Sequence, residues 1–189
     1  MNYPVIIKNA LPNHEFINLQ DEFKYWTFTN GSNSNKPKSK IFFGQSNNFD
    51  RMLYFPAATI AVLKIKKHLR RDLRLIRIHS NASTSSSHPE FHIDFKEECN
   101  CFTFVLFTNT EWDTNWGGEF IAQDPSTLEY RYVPYIPNWG ALIPSHWEHC
   151  GTAPSTPVAG IRTSVAFVFA SVESLPVLLK ENPQSYLYL

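Results

Sequence analysis

The chain has little cysteine, no net charge and no long apolar run. Three cysteines in 189 residues are too few for a disulfide scaffold, and Cys99 and Cys101 are too closely spaced to staple distant segments. Reduced thiols are the expectation. Lys plus Arg and Asp plus Glu balance at 17 each, so no overall field draws the chain to DNA or to an anionic membrane. No stretch approaches the ~20 apolar residues of a transmembrane helix. The opening residues carry Asn, His, Pro and Glu where a signal peptide would have an apolar core. A soluble, cytoplasmic protein without a membrane partner is expected. No internal repeat is apparent, which argues against a solenoid or propeller.

What is present is core-forming material: 43% hydrophobic and 15% aromatic residues, enough for one domain over 1–189. Val5-Ile6-Ile7 reads as a strand. Pro12-Asn13 opens a helix whose period is marked by Phe16, Ile17, Leu19, Gln20 and Phe23. Strands are expected at 24–29 and 41–43. The polar stretch 30–40 between them reads as a surface loop or a flap beside a pocket. Residues 57–71 form the main predicted helix. Its basic residues Lys64, Lys66, Lys67, His68, Arg70 and Arg71 supply a solvated face and cations suited to the helix C-terminus.

Beyond Arg71 the pattern changes to short strands. Leu73, Leu75, Arg77 and His79 alternate with Arg74, Ile76 and Ile78, and further strand-like runs follow at 101–107, 117–121, 130–133, 140–143 and 161–170. Helices followed by many short strands predict a mainly β fold with flanking N-terminal helices (α+β), a jelly roll. Its parts would be N-terminal strands and supporting helices over 1–71, a jelly-roll core over 72–170 and a tail over 171–189.

The chemistry concentrates at His92-Ile93-Asp94. Side chains two apart on a strand share a face, so the His92 imidazole and the Asp94 carboxylate can reach one point. One His and one carboxylate make two-thirds of the 2-His-1-carboxylate triad that holds non-heme iron. Two downstream residues can complete it, His146 and His149, both after the turn at Pro144-Ser145; spacing alone does not choose between them. His88, in a Ser-rich loop, is a third candidate and reads as exposed. Arg162 interrupts an apolar β run, where a buried guanidinium needs a partner. That partner is either a structural salt bridge or the carboxylate of a ligand, which a guanidinium meets in bidentate geometry. Ser164, on the same face, can donate a second hydrogen bond.

The order His92-x-Asp94, His149, Arg162-x-Ser164 resembles the Fe(II)/2-oxoglutarate-dependent dioxygenases, in particular their prolyl-4-hydroxylase-like branch, over roughly 73–170. Thr108-Asn109-Thr110-Glu111-Trp112 with Gly117-Gly118-Glu119 resembles that branch's Asn-x-x-Trp and Gly-Gly turn. Ile143-Pro144-Ser145-x-x-x-His149, with the following Cys150-Gly151-Thr152-Ala153-Pro154, is similar to its distal-His segment and favours His149 over His146. Two positions depart from the pattern. Arg162 stands where collagen-type relatives have Lys, and Phe107 stands where oxygen-sensing relatives have a Tyr hydroxyl that Ser164 would replace.

The resemblance implies a double-stranded β-helix, with Fe(II) on His92, Asp94 and His149. It implies 2-oxoglutarate held through its far carboxylate by Arg162 and Ser164, O2 as oxidant and ascorbate as reductant. His79 would be a further cosubstrate contact; the plain alternative is a half-buried strand histidine. The activity implied is hydroxylation of a C–H bond with release of succinate and CO2, most naturally prolyl 4-hydroxylation of a peptide or protein. The alternatives are an oxygenase acting on a small metabolite, free amino acid or nucleobase, and a metal-binding jelly-roll module without oxygenase activity. Trp112, Trp116, Trp139 and Trp147 read as a peptide groove or as core and rim packing. Cys150, beside a ligand, is exposed to oxidative damage.

Overall fold

The computed structural model describes residues 3–23, 29–30, 43–47 and 56–181. Its elements are β1 (Val5–Ile7), α1 (Asn13–Phe23), β2 (Thr29–Asn30), β3 (Phe43–Asn47), α2 (Pro56–Leu69) and β4 (Leu73–Ser83). After these come β5 (Cys101–Phe107), β6 (Phe120–Gln123), β7 (Tyr130–Val133), β8 (Gly140–Pro144), β9 (His149–Gly151), β10 (Arg162–Ser171) and α3 (Leu175–Glu181). The strands make a seven-stranded sheet of order β1-β8-β5-β10-β4-β3-β2 and a three-stranded sheet of order β7-β6-β9. All pairings are antiparallel. The strand expectations at 24–28 and 41–42, and nearly all of the 30–40 loop, lie outside the described residues.

Both faces of β5 and β10 are covered, so these central strands are mostly apolar, with Thr103 on β5 and Arg162-Thr163-Ser164 at the start of β10 as polar exceptions. On β5, Phe102, Phe104 and Leu106 pack with the helices, while Val105 and Phe107 pack against the small sheet. On β10, Val165, Phe167 and Phe169 face the helices. The helix layer is built from Phe16 and Leu19 of α1 and from Ala57, Ala58, Ala61, Ile65 and Leu69 of α2. These positions repeat at helical spacing, and the other side of α2 is solvated, with Leu63 62% exposed. Between the sheets lie Val105, Phe107, Ala141, Ile143 and Ala166 from the large sheet and Phe120, Ala122 and Val133 from the small one. Each fully buried Phe or Leu here contributes about 1.5–3 kcal/mol by leaving water. Among the described residues no helix is long and apolar enough to cross a membrane.

Three details differ from the sequence-based expectation. Helix α2 stops at Leu69, short of 71, because Arg70 turns left-handed (φ 52°), the conformation that closes many helices. The tail contains the short helix α3, whose Leu178 is buried against Ile76, Val168 and Ala170. The simple alternation expected along β4 is broken by an irregularity in the β4–β10 pairing: Phe169 lies opposite Leu75 but Val168 opposite Arg77, which leaves Ile76 over. A bulge of this kind puts two successive residues on one face. Leu73 and Leu75 accordingly pack with the helices, whereas Ile76, Arg77 and His79 belong to the inner face.

Candidate metal and anion site

The His92 segment is the outermost part of the small sheet. His92 forms an isolated antiparallel bridge with His149 of β9, with N–H···O distances of 3.1 and 2.9 Å. Two residues on, the Asp94 N–H donates to the Ser145 carbonyl at 2.9 Å, in the turn after β8. The strand spacing of His92 and Asp94 and the bridge across to His149 thus converge. One ligand atom from each of His92, Asp94 and His149 lies within 4.8 Å of the others, and this is the one such group among the described residues. His146 is half-buried and His88 exposed, and neither joins the group.

Protonation follows from the hydrogen bonds. His92 Nδ1 lies 3.0 Å from the Glu90 carbonyl and His149 Nδ1 lies 2.9 Å from the Trp147 carbonyl. A carbonyl only accepts, so each Nδ1 carries a hydrogen, and the neutral tautomer this selects has its lone pair on Nε2, the form a metal needs. His149 is also buried, and burial lowers its pKa and keeps the ring neutral.

Asp94 is held from both oxygens. Arg77 donates Nη2–H to Oδ1; Thr103 donates its hydroxyl to Oδ2 at 2.7 Å, and His149 Nε2 is 3.5 Å from the same oxygen. Because the hydrogen of Thr103 goes to Asp94, Ser145 must donate to Thr103 across their 2.8 Å contact. Burial alone would push the Asp94 carboxyl up. The charge of Arg77, the neighbouring His149 and His79, and the Thr103 hydrogen bond outweigh it and hold the group well below the usual carboxylate range.

His79 lies opposite Ala166 on β10, is 6% exposed, and has an Nδ1 without a hydrogen-bond partner among the described residues. Its pKa is lowered to about 3, first by burial and then by Arg77, with the Asp94 carboxylate opposing. It is a neutral imidazole beside the triad.

Arg162 opens β10 on the same inner face. Arg77 lies opposite Val168, six residues further along that strand. Arg162 is 3% exposed. Its Nε donates to the Gly118 carbonyl at 2.8 Å, its Nη1 reaches Ser164 Oγ at 3.4 Å, and its buried Nη2 has no partner among the described residues. Among the described residues no carboxylate pairs with it. Glu119, whose charge acts on it, instead accepts from the Thr152 hydroxyl at 3.0 Å. The guanidinium lies over the rings of Tyr135, at 4.8 Å, and Phe107, at 5.9 Å. Burial lowers its pKa, partly opposed by Tyr135, Cys150 and Glu119. Gly118 and Gly151 leave the room it occupies: a Cβ on Gly151 would sit 3.0 Å from Nη2, and one on Gly118 3.2 Å from Cδ.

Of the residues singled out in the sequence, His92, Asp94 and His149 come together, His79 lies beside them, and Arg162 and Ser164 are adjacent further along the face. Arg77, Thr103, Tyr135 and Gly151 were not singled out. Thr103 carried a signal, as a lone hydroxyl in the apolar run 101–107. So did Arg77, a charge two residues before His79 on a strand. Trp112, Trp139 and Trp147 pack against the inter-sheet core, and the Trp112 indole donates to the Gly117 carbonyl at 2.9 Å. Cys150 is 3% exposed, its thiol pushed up to about 11 by burial.

No family model and no curated protein matches the sequence. Solved structures do. A prolyl hydroxylase from Trichoplax adhaerens, in complex with a hypoxia inducible factor peptide fragment, aligns with 92% of this chain and 86% of its own, at 14% identity and a TM-score of 0.68. A prolyl-4-hydroxylase from Pseudomonas putida aligns over 88% and 91%, at 14% identity and a TM-score of 0.63. HygX from Streptomyces hygroscopicus, with nickel, 2-oxoglutarate and hygromycin B bound, aligns over 89% and 82%, at 11% identity and a TM-score of 0.63. The chain therefore has the double-stranded β-helix fold of these oxygenases.

Proposed function

We propose that the chain is an Fe(II)- and 2-oxoglutarate-dependent oxygenase that hydroxylates a C–H bond, with a prolyl residue of a peptide or protein as the favoured substrate. The observation that carries the reading is the pairing of a His92–Asp94–His149 triad, built on the small sheet, with a buried Arg162 on the inner face of the large sheet that, among the described residues, lacks a carboxylate partner. A structural ion pair would have consumed the donors of Arg162.

The donor set fits iron. Two imidazole Nε2 atoms and one carboxylate oxygen form a 2-His-1-carboxylate group, and the Nδ1–H bonds to backbone carbonyls fix both rings in the ligating tautomer. Bound iron would couple oxidative decarboxylation of 2-oxoglutarate, giving succinate and CO2, to hydroxylation of the substrate by O2. The chain's own residues orient the partners. Asp94 stays ionised because Arg77 and Thr103 hold it so. Arg162 Nη2–H and the Ser164 hydroxyl would receive the far carboxylate of 2-oxoglutarate in a region closed to water. His79, neutral and with one ring nitrogen free, would supply a hydrogen bond between these two ends.

The prolyl substrate is supported by the local motifs shared with the prolyl-4-hydroxylase-like branch and by prolyl hydroxylases among the similar folds. The HygX complex supports a second reading, a small-molecule substrate, on the same iron chemistry. The test is succinate release from 2-oxoglutarate with Fe(II), ascorbate and air, beside a His92→Ala control, followed by addition of proline-containing peptides or of free amino acids. Stimulation by the peptides with one oxygen gained on proline supports the prolyl reading. Stimulation by small molecules alone moves the substrate class, and iron-dependent succinate that never appears removes the oxygenase reading.

A further inference from the structure

Tyr135 is 1% exposed and sits directly beneath Arg162. Its hydroxyl is engaged by the backbone: it accepts the N–H groups of Thr108 and Asn109, both at 3.1 Å, and has Asn109 Oδ1 and the Thr163 carbonyl as the two acceptors within reach of its single hydrogen. Its ring stacks on Phe107 at 4.8 Å and meets a tilted Trp112 at 4.6 Å. Two aromatic neighbours and the hydrogen bonds at its tip therefore hold the ring in place.

A buried guanidinium needs opposing charge density. A carboxylate would supply it but would occupy the N–H donors. An aromatic face supplies it through its quadrupole and takes no N–H. We propose that Tyr135 is a positioning residue for anion recognition: its ring seats Arg162 without using the Nη2 hydrogens and so keeps them for the far carboxylate of a dicarboxylic 2-oxo acid. This rests on the 2-oxoglutarate reading and extends it to a residue that makes no contact with the cosubstrate. Gly151 belongs to the same device, since it leaves room for the flat face of the guanidinium: a Cβ there would lie 3.0 Å from Nη2, 3.2 Å from Nη1 and 3.3 Å from Cζ.

The ring and the hydroxyl have separable consequences. Tyr135→Phe keeps the face and loses the hydroxyl; Tyr135→Leu loses both. Binding of 2-oxoglutarate and of 2-oxobutyrate, which lacks the far carboxylate, is measured on the Mn(II)-loaded full chain, with Tm recorded for each variant. Leu is expected to weaken 2-oxoglutarate about 10-fold, the size of a desolvated cation–π contact, and to leave 2-oxobutyrate unchanged. Phe is expected to stay within about 3-fold of wild type for both ligands, because the ring contact survives. Its Tm should nonetheless fall by several degrees, since two backbone N–H groups lose their acceptor. If Phe and Leu lose 2-oxoglutarate affinity equally, or if both ligands weaken together, Tyr135 is only structural and the proposal is overturned. If the Mn(II)-loaded wild type binds no 2-oxoglutarate, the cosubstrate reading itself fails.

Discussion

At one end of the space between the sheets the Asp94 carboxylate is met by a guanidinium, a hydroxyl and an imidazole. At the other, the Arg162 guanidinium is met by two ring faces, one carbonyl and a long contact to a hydroxyl. Both charges are buried, and an unpaired buried charge is costly. The difference shows what each end is arranged to do. Asp94 is saturated within the protein and kept ionised, with one oxygen turned toward His149. Arg162 is stabilised by partners that leave hydrogens over. The first arrangement suits a cation that adds to an existing carboxylate. The second suits an anion that completes an incomplete guanidinium.

The comparison breaks most completely at the triad. His149→Ala is expected to abolish iron-dependent succinate release, whereas His146→Ala, outside the triad, keeps it; metal binding and turnover measured on both variants check this. Next in size, Arg162→Ala should weaken 2-oxoglutarate by about 2–5 kcal/mol, the range for removing one side of a buried charged pair, and leave Mn(II) affinity unchanged. Titration of each ligand separately tests that division, and a parallel loss of metal would mean the two ends are not separate.

A smaller effect is expected from Arg77→Gln. It leaves Asp94 without its cation, so the metal-free protein loses about 1–2 kcal/mol, a figure reduced from that of a fully buried pair because Arg77 is 32% exposed. Bound metal replaces the missing positive charge, so the Tm gain on adding Mn(II) should be larger in the variant than in wild type. An equal gain would show that Arg77 does not neutralise Asp94.

The smallest effect is a slope. The His79 pKa is lowered from 6.5 to about 3, so the unfolded chain takes up a proton that the folded chain refuses. Stability is then highest above 6.5 and falls as pH drops toward 3. Asp94 is also depressed, so its contribution is present above its ordinary pKa of 3.8 and is lost below that, as pH falls through the folded value. In the metal-free protein, His79→Gln should flatten the upper part of the acid limb and leave the Asp94 part. Denaturant midpoints across this range read it directly.

Much of this was legible in the residues, for identifiable reasons. Phe102, Phe104 and Leu106 alternate with Val105 and Phe107 in a run buried on both faces, so β5 was visible as a strand. His92-x-Asp94 was visible because strand spacing puts both on one side. Spacing could not choose between His149 and His146, since the choice depends on the bridge between His92 and β9, a contact 57 residues apart in sequence. The face of Arg77 was hidden by the bulge at Ile76, which the alternation of β4 gave no means to foresee. Tyr135 was hidden because nothing in an isolated Tyr-Ile-Pro stretch announces a ring beneath an arginine 27 positions later. Local pattern revealed what strand geometry decides, and the contacts made across sheets stayed out of reach.

The most direct test of the account is calorimetric binding of 2-oxoglutarate to the wild-type chain with and without Mn(II), beside His149→Ala and Arg162→Ala. The account predicts binding that requires the metal, is lost in His149→Ala and is weakened in Arg162→Ala with metal affinity intact. Binding that ignores the metal, or an Arg162→Ala variant with wild-type affinity, would contradict the claim that the space between the two sheets joins a metal-holding end to an anion-holding end.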